Sequence, residues 1–293
     1  MRKVVFNIGE TYGTEENRAI FEDTVAFYNS DSYLRDSVYK SSKEEEFFSG
    51  DKDYIFRGER VYEKKAEIIV SNKRTMEAAS YYAYNNKRVC VLNFASATNP
   101  GGGVTKGSSA QEEAICRVST LYPCLNERRI MKSFYYPHRD AHDSLHNDDA
   151  VYTPGVVVFK SDTSYPVLLD REKWFKVNVI TSAAPNLRKN PGNYMNAGVG
   201  SGIVDISKED LFSLLERRIH RILEIAAGKE NEVLVLGAFG CGAFSNPPEV
   251  VAEAMKREVA KFRENFETIE FAVFCPPYDD TNYRVFKKIL PSI

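Results

Sequence analysis

From Lys65 onward the chain alternates short apolar runs with segments of helical periodicity, and this alternation limits the fold more than any other feature. KAEIIVSN has the β-branched content of a strand, TMEAASYYAY carries apolar residues at helical spacing, and RVCVLNFA is a continuous apolar run of the kind buried on both faces of a sheet. The pattern resumes further on. WFKVNVITSAAPN reads as a strand entering a loop, and Lys208 to Ala227 as a helix with Leu211, Leu214, Leu215, Ile219, Ile222 and Leu223 on one stripe. EVLVL is a strand, PPEVVAEAMKREVAKF a helix with prolines at its first turn, and TIEFAVFCPP a last strand. Strands separated by helices predict an α/β fold with a mixed or parallel sheet covered on both faces and ligands at the C-terminal ends of the strands. Two stretches stand apart. The first sixty or so residues are charged and aromatic without this alternation, so residues 1–63 are expected to be a mostly helical accessory segment and 64–293 the main domain. Phe134 to Tyr165, polar apart from the run Gly155 to Phe159, reads as a long functional insertion.

Composition narrows the partners. A chain of 293 residues with 43% hydrophobic content can bury a large core, and its formal net charge of −2 offers no basic excess for holding nucleic acid by counterion release. Any anionic ligand must then be bound locally. The chain lacks the ~18 consecutive apolar residues needed to span a bilayer, and Met1 to Glu10 lacks the apolar stretch of a signal peptide, so a cytoplasmic protein is expected. Cys90, Cys116, Cys124, Cys241 and Cys275 form no CxxC pair and read as reduced, buried thiols.

The chemistry-bearing segment is VLNFASATNPGGGVTKGSSAQEEAICR, where Gly101, Gly102 and Gly103 lie between a buried strand and a helix. Backbone amides without a Cβ in the way, together with a helix N-terminus, suit a phosphate. A dinucleotide-binding fingerprint would need glycine where Lys106 stands, and no P-loop GK[ST] is present. Glu112 and Glu113 follow at the start of the helix. Neighbouring helical side chains diverge by about 100°, so two distinct roles are implied, one carboxylate handling a proton and the other holding substrate hydroxyls. Acidic residues in a first helical turn also simply complement the helix dipole.

GGGVTKGSSAQEE resembles the GGG-x(6-8)-QEE signature of poly(ADP-ribose) glycohydrolases, and NFASATNPGGG with AQEEAICRVSTLYPCL resembles their bacterial-type branch. YTPGVVVFKSD, VITSAAPN and LVLGAFGCGAFSNPP fall in the order expected of that branch. The resemblance implies a macrodomain-like three-layer α/β/α fold, ADP-ribose as the bound unit, and cleavage of ribose–ribose O-glycosidic bonds, mainly from polymer ends, with release of ADP-ribose. It implies poly(ADP-ribose) and ADP-ribosylated proteins as substrate, with no cofactor, metal or stable protein partner. By position, Glu113 is implied as the catalytic acid/base, Glu112 as the holder of ribose hydroxyls beside Gln111, and the glycine triplet as the diphosphate cradle. An asparagine just upstream would orient the terminal ribose; Asn93 and Asn99 both qualify, and Asn99 adjoins the glycines.

In GAFGCGAFSN, Gly240, Cys241, Gly242 and Ala243 make a second tight loop after a strand, so two loops could clamp one diphosphate. Phe239 reads as a core residue, whereas Phe244 is implied by the resemblance to pack on the terminal ribose. His138, His142 and His146 recur every four residues, but the polar stretch PHRDAHDSLHNDDA reads as a solvated loop rather than a zinc site. Asp279, Asp280, Asn282 and Tyr283 suit either an adenosine contact or a turn and helix cap. Alternative functions are a non-catalytic ADP-ribose-binding macrodomain, which needs the glycines but not the carboxylate pair, a mono-ADP-ribosyl hydrolase, and a nicotinamide-dependent oxidoreductase, whose fingerprint the chain lacks.

Overall fold

The computed structural model describes residues 14–54, 56, 61–192 and 204–292. Its elements in chain order are α1 (Glu15–Ser30), α2 (Ser32–Glu44), β1 (Glu46–Phe48), β2 (Glu67–Ser71), α3 (Thr75–Tyr84), β3 (Val89–Phe94), α4 (Gln111–Val118), α5 (Leu121–Leu125), α6 (Arg128–Ile130) and, after a π-helical turn, α7 (Tyr136–Ala141). There follow β4 (Ala150–Val158), β5 (Phe175–Ser182), α8 (Lys208–Gly228), β6 (Val233–Leu236), α9 (Pro248–Lys261), β7 (Thr268–Ala272) and α10 (Thr281–Ile289).

The seven strands form one mixed sheet in the order β1-β4-β5-β3-β6-β7-β2, parallel from β5 to β2 and antiparallel where β4 meets β5 and β1. The period of two in a strand explains how a central strand serves two layers. In β3, Cys90 and Leu92 face the layer that includes Leu215 and Ile219 of α8 and Met255 of α9, while Val89 and Val91 face Met76 of α3 and Ile115 of α4. All four β3 residues are at most 1% exposed, so the sheet is covered on both sides, as the apolar run predicted. This is the expected three-layer α/β arrangement.

Two segments differ from their sequence reading. The N-terminal part is mostly helical, as expected, yet it also contributes β1, which pairs with β4 through Glu46–Tyr152 and Phe48–Ala150. Its side chains enter the same cores: Phe48 joins the α8 and α9 layer, and Phe21 the α3 and α4 layer. Phe134 to Tyr165 is not a polar insertion. It opens within the helical turns that run from Met131 to Ala141 and then contains β4, a nine-residue strand inside the sheet. A register shift between Thr153 and Val156 breaks the alternation there, and Pro154 with Gly155, at φ +67°, interrupts the apolar run. A bulge of this kind hides a strand from pattern reading.

Candidate active site

Every residue of the Gln111-Glu112-Glu113 motif bonds back to the segment that leads into it. Gln111 at the first turn of α4 accepts from the Phe94 amide at 2.9 Å and donates to the Leu92 carbonyl at 2.8 Å and to Thr75 Oγ1 at 3.0 Å. One side-chain amide thus splices the helix to the end of β3 and to the start of α3. Glu112 accepts from the Ser96 amide at 2.7 Å and from Asn93 Nδ2 at 3.2 Å, and Asn93 also donates to Thr181 Oγ1 of β5 at 3.2 Å. Glu113 Oε1 accepts from the Gly103 amide at 2.8 Å. Its other oxygen, Oε2, is buried with no hydrogen-bond partner.

The glycine triplet wraps these carboxylates. Gly102 donates to the Asn99 carbonyl at 2.9 Å and Val104 to the Gly101 carbonyl at 3.1 Å, closing a tight double turn with Gly101 and Gly102 at φ +67° and +58°. A Cβ on Gly102 would collide with Glu113 Oε1 and lie 3.1 Å from Glu112 Oε2. The two carboxylates, whose Cβ atoms diverge around the helix, therefore converge on one glycine, because the glutamate chains are long enough to turn back. The divergence expected from helical geometry holds for the Cβ atoms and not for the functional groups.

Burial sets the protonation. Glu112 and Glu113 are 2% and 6% exposed. Burial, and after it the negative charge of Glu113, pushes Glu112 well above the ordinary carboxylate range. Burial also raises Glu113, opposed by the Gly103 amide and by the Arg117 guanidinium one turn on. A carboxyl whose pKa is raised in this way holds its proton toward neutral pH, as a general acid requires.

The second loop follows β6, next to β3 in the sheet, so both loops leave the same edge. A Cβ on Gly240, at φ +74°, would sit 2.5 Å from both Ala184 Cβ and Asn246 Nδ2, so only glycine fits. Gly242 instead faces open space with nothing within 4 Å, and Ala243 beside it is exposed. Cys241 is half-buried, and all five cysteines are free thiols. Phe239 is fully buried and packs edge-on against Phe94 with centroids 5.8 Å apart, as a core residue should. Phe244 is half-buried, its carbonyl held by the Leu187 amide at 2.9 Å.

The structure thus brings Gln111, Glu112, Glu113, Gly102, Gly103 and Asn93 into one cluster. Of the two candidate asparagines, Asn93 holds Glu112, while Asn99 closes the glycine turn with its carbonyl and donates to Thr98 Oγ1 at 3.0 Å. The histidines are not a solvated loop: His138 and His146 are 4% and 7% exposed with ring centroids 5.9 Å apart, and only His142 lies at the surface. Asp279 accepts from the Thr281 amide at 3.0 Å, the turn-and-cap arrangement rather than a free pair of ligand contacts. Thr181, Ser96 and Asn246 lie inside the quoted segments VITSAAPN, NFASATNPGGG and GAFGCGAFSN, but nothing in their type or spacing singled them out from the neighbours around them.

Residues 19–161 match a family described as microbial-type PARG, catalytic domain, where PARG is poly(ADP-ribose) glycohydrolase. Among solved structures, the poly(ADP-ribose) glycohydrolase of Thermomonospora curvata is 28% identical with a TM-score of 0.76, covering 94% of this chain and 99% of that one. The sequence and fold are thus similar to those of bacterial-type poly(ADP-ribose) glycohydrolases. A second structure of the Thermomonospora curvata glycohydrolase, bound to the inhibitor ADP-HPD, is 29% identical with a TM-score of 0.75, covering 94% of this chain and 99% of that one. The Deinococcus radiodurans glycohydrolase in complex with ADP-ribose is 28% identical with a TM-score of 0.71, covering 87% and 97% of the two chains. No curated protein sequence matches. The family match begins inside α1, within the segment that lacks the strand–helix alternation, and the structural likeness extends over the glycohydrolase chains almost end to end.

Proposed function

We propose that the chain hydrolyses poly(ADP-ribose) at its ribose–ribose O-glycosidic bonds, working mainly from polymer ends and releasing ADP-ribose. One observation carries this reading: two buried carboxylates with raised pKa values converge on the middle glycine of an amide-rich loop, on a fold shared with bacterial glycohydrolases. A non-catalytic binder would need the loop but gains nothing from the cost of burying two carboxyl groups together.

In this mechanism the two glycine loops, Gly101 to Gly103 and Gly240 to Phe244, hold the diphosphate and set the anomeric carbon of the terminal ribose beside Glu113. Protonated Glu113 gives its proton to the leaving ribose oxygen. The C–O bond breaks, an oxocarbenium-like ribose forms, and water attacks its anomeric carbon while Glu113, now a carboxylate, takes up a water proton. Glu112 receives the ribose hydroxyls, and Asn93 together with the Ser96 amide fixes its orientation. Asn99 is the residue we assign to orienting the terminal ribose, and Phe244 packs on it.

Among the described residues no helix is long and apolar enough to cross a membrane, and we place the enzyme in the cytoplasm, acting on ADP-ribosylated proteins. The decisive experiment is incubation of purified protein with poly(ADP-ribose) and separation of the products. Free ADP-ribose accumulating with time is the expected result. Tight ADP-ribose binding without any release from polymer would leave only a reader.

A further inference from the structure

Behind Phe244 lies a chain of aromatic rings that the catalytic scheme does not use. The centroids of Phe134 and His138 are 4.6 Å apart, those of His138 and His146 5.9 Å, and those of His146 and Phe244 6.3 Å. His138 Nδ1 lies 2.7 Å from the Phe134 carbonyl, and because a carbonyl only accepts, this nitrogen carries the proton. Both ring nitrogens of His146 are buried and neither makes a well-formed protein hydrogen bond, the Asp143 carbonyl acting on the ring only weakly. Phenylalanine would fill the same space without that penalty, so packing alone does not account for a histidine here.

The loop bearing His146 is anchored to the site. Arg218 of α8, the largest fully buried side chain among the described residues, donates to the carbonyls of Leu145 at 3.1 Å, His146 at 3.2 Å and Ala183 at 2.8 Å, and to Asp148 Oδ1 at 3.0 Å. One guanidinium therefore fastens the His146 loop to the segment that follows β5. That segment donates from the Asn186 amide to the Ser144 carbonyl at 2.7 Å and from the Leu187 amide to the Phe244 carbonyl at 2.9 Å. His146 itself holds φ +58°, a left-handed backbone that places its ring where an ordinary loop residue would not.

We propose that His146 is a substrate-binding residue, hydrogen-bonding a hydroxyl of the terminal ribose packed on Phe244. This rests on the glycohydrolase reading above. Burial, followed by the charges of Arg218 and His138, lowers the imidazole pKa to about 3, so the ring is neutral at physiological pH and presents one donor and one acceptor. A hydroxyl can answer whichever of the two faces the ligand, whereas a phosphate oxygen can answer only the donor.

Calorimetric titration of ADP-ribose and of ADP, which lacks the terminal ribose, tests this on the full chain. His146→Phe keeps the ring and removes both nitrogens; the expected result is about a tenfold weaker affinity for ADP-ribose with ADP unchanged. His146→Asn, which tolerates the left-handed backbone and keeps a donor and an acceptor, should recover part of the loss. Equal weakening toward both ligands, no weakening at all, or an asparagine variant as poor as the phenylalanine one would overturn the assignment. Should His146→Phe not fold, His146→Leu takes its place in the same comparison. A wild-type protein that neither prefers ADP-ribose to ADP nor releases ADP-ribose from polymer defeats the underlying reading. A wild type that does both, beside an unaffected His146→Phe, defeats only the role of His146.

Discussion

Glu113 is the residue we propose as the acid/base, and its neighbours make a sharp test possible. The Gly103 amide that holds Oε1 would serve a glutamine carbonyl equally well, so Glu113→Gln preserves the hydrogen bond and the volume while removing the proton to be transferred. Turnover should fall by roughly 100- to 10,000-fold, with ADP-ribose affinity nearly unchanged by calorimetry. Near-normal release of ADP-ribose would show that another group supplies the proton. The motif was legible at this scale because most of its bonds are local, the Gln111 to Leu92 and Asn93 to Glu112 bonds each spanning 19 positions, while the Gln111 to Thr75 bond reaches across 36. Arg218 and His146 were not legible, since the bonds that give them meaning reach across 72 positions and leave no local pattern.

At the scale of elements, the glycine turn and the first turn of α4 behave as one unit. A valine at Gly102 meets the left-handed φ of +58° and the two carboxylates at once, so Gly102→Val should abolish turnover and cost about 1–3 kcal/mol of stability by thermal melting. The space needed by the two carboxylates is by itself enough to forbid a side chain there. Gly242 offers the contrasting case. With nothing within 4 Å, Gly242→Ala should change stability by less than about 0.5 kcal/mol, yet weaken ADP-ribose roughly tenfold if the diphosphate lies against that backbone. Unchanged affinity in a normally melting variant would remove Gly242 from the clamp. The long, strongly periodic elements β3, β5, α8 and α9 were readable because burial on one or two faces writes itself into the sequence. The three residues of β1 and the bulged β4 were not, because one is too short for a period and the other loses its period midway.

For the molecule as a whole, buried acids tie stability to pH. Glu45, at the junction of α2 and β1, accepts from Thr153 Oγ1 at 2.6 Å, and burial raises its pKa from 4.5 to about 8. The folded state then holds this proton more tightly than the unfolded chain does. Its contribution is fully present below pH 4.5 and is lost as pH rises toward 8, with Glu112, Glu113 and Asp162 acting in the same direction. The melting temperature should fall across that window, and Glu45→Gln should make the fall shallower; an identical slope in the variant would show that Glu45 is ionised in the folded state. The direction of polymer cutting is also a property of the whole cleft. A site that encloses a terminal unit admits chain from one side only, so a time course on long polymer should yield ADP-ribose from the first minutes, and early medium-length oligomers with little monomer would mean internal cutting. The sheet has a further consequence, for synthesis. Ser71 on the outermost parallel strand, β2, bonds to Glu270 of β7, 199 residues later, with Oγ and Oε1 2.5 Å apart. At about 5–20 residues per second a ribosome releases that partner roughly 10–40 seconds after β2 emerges, so for most of its synthesis the nascent chain carries a strand whose partner β7 does not yet exist.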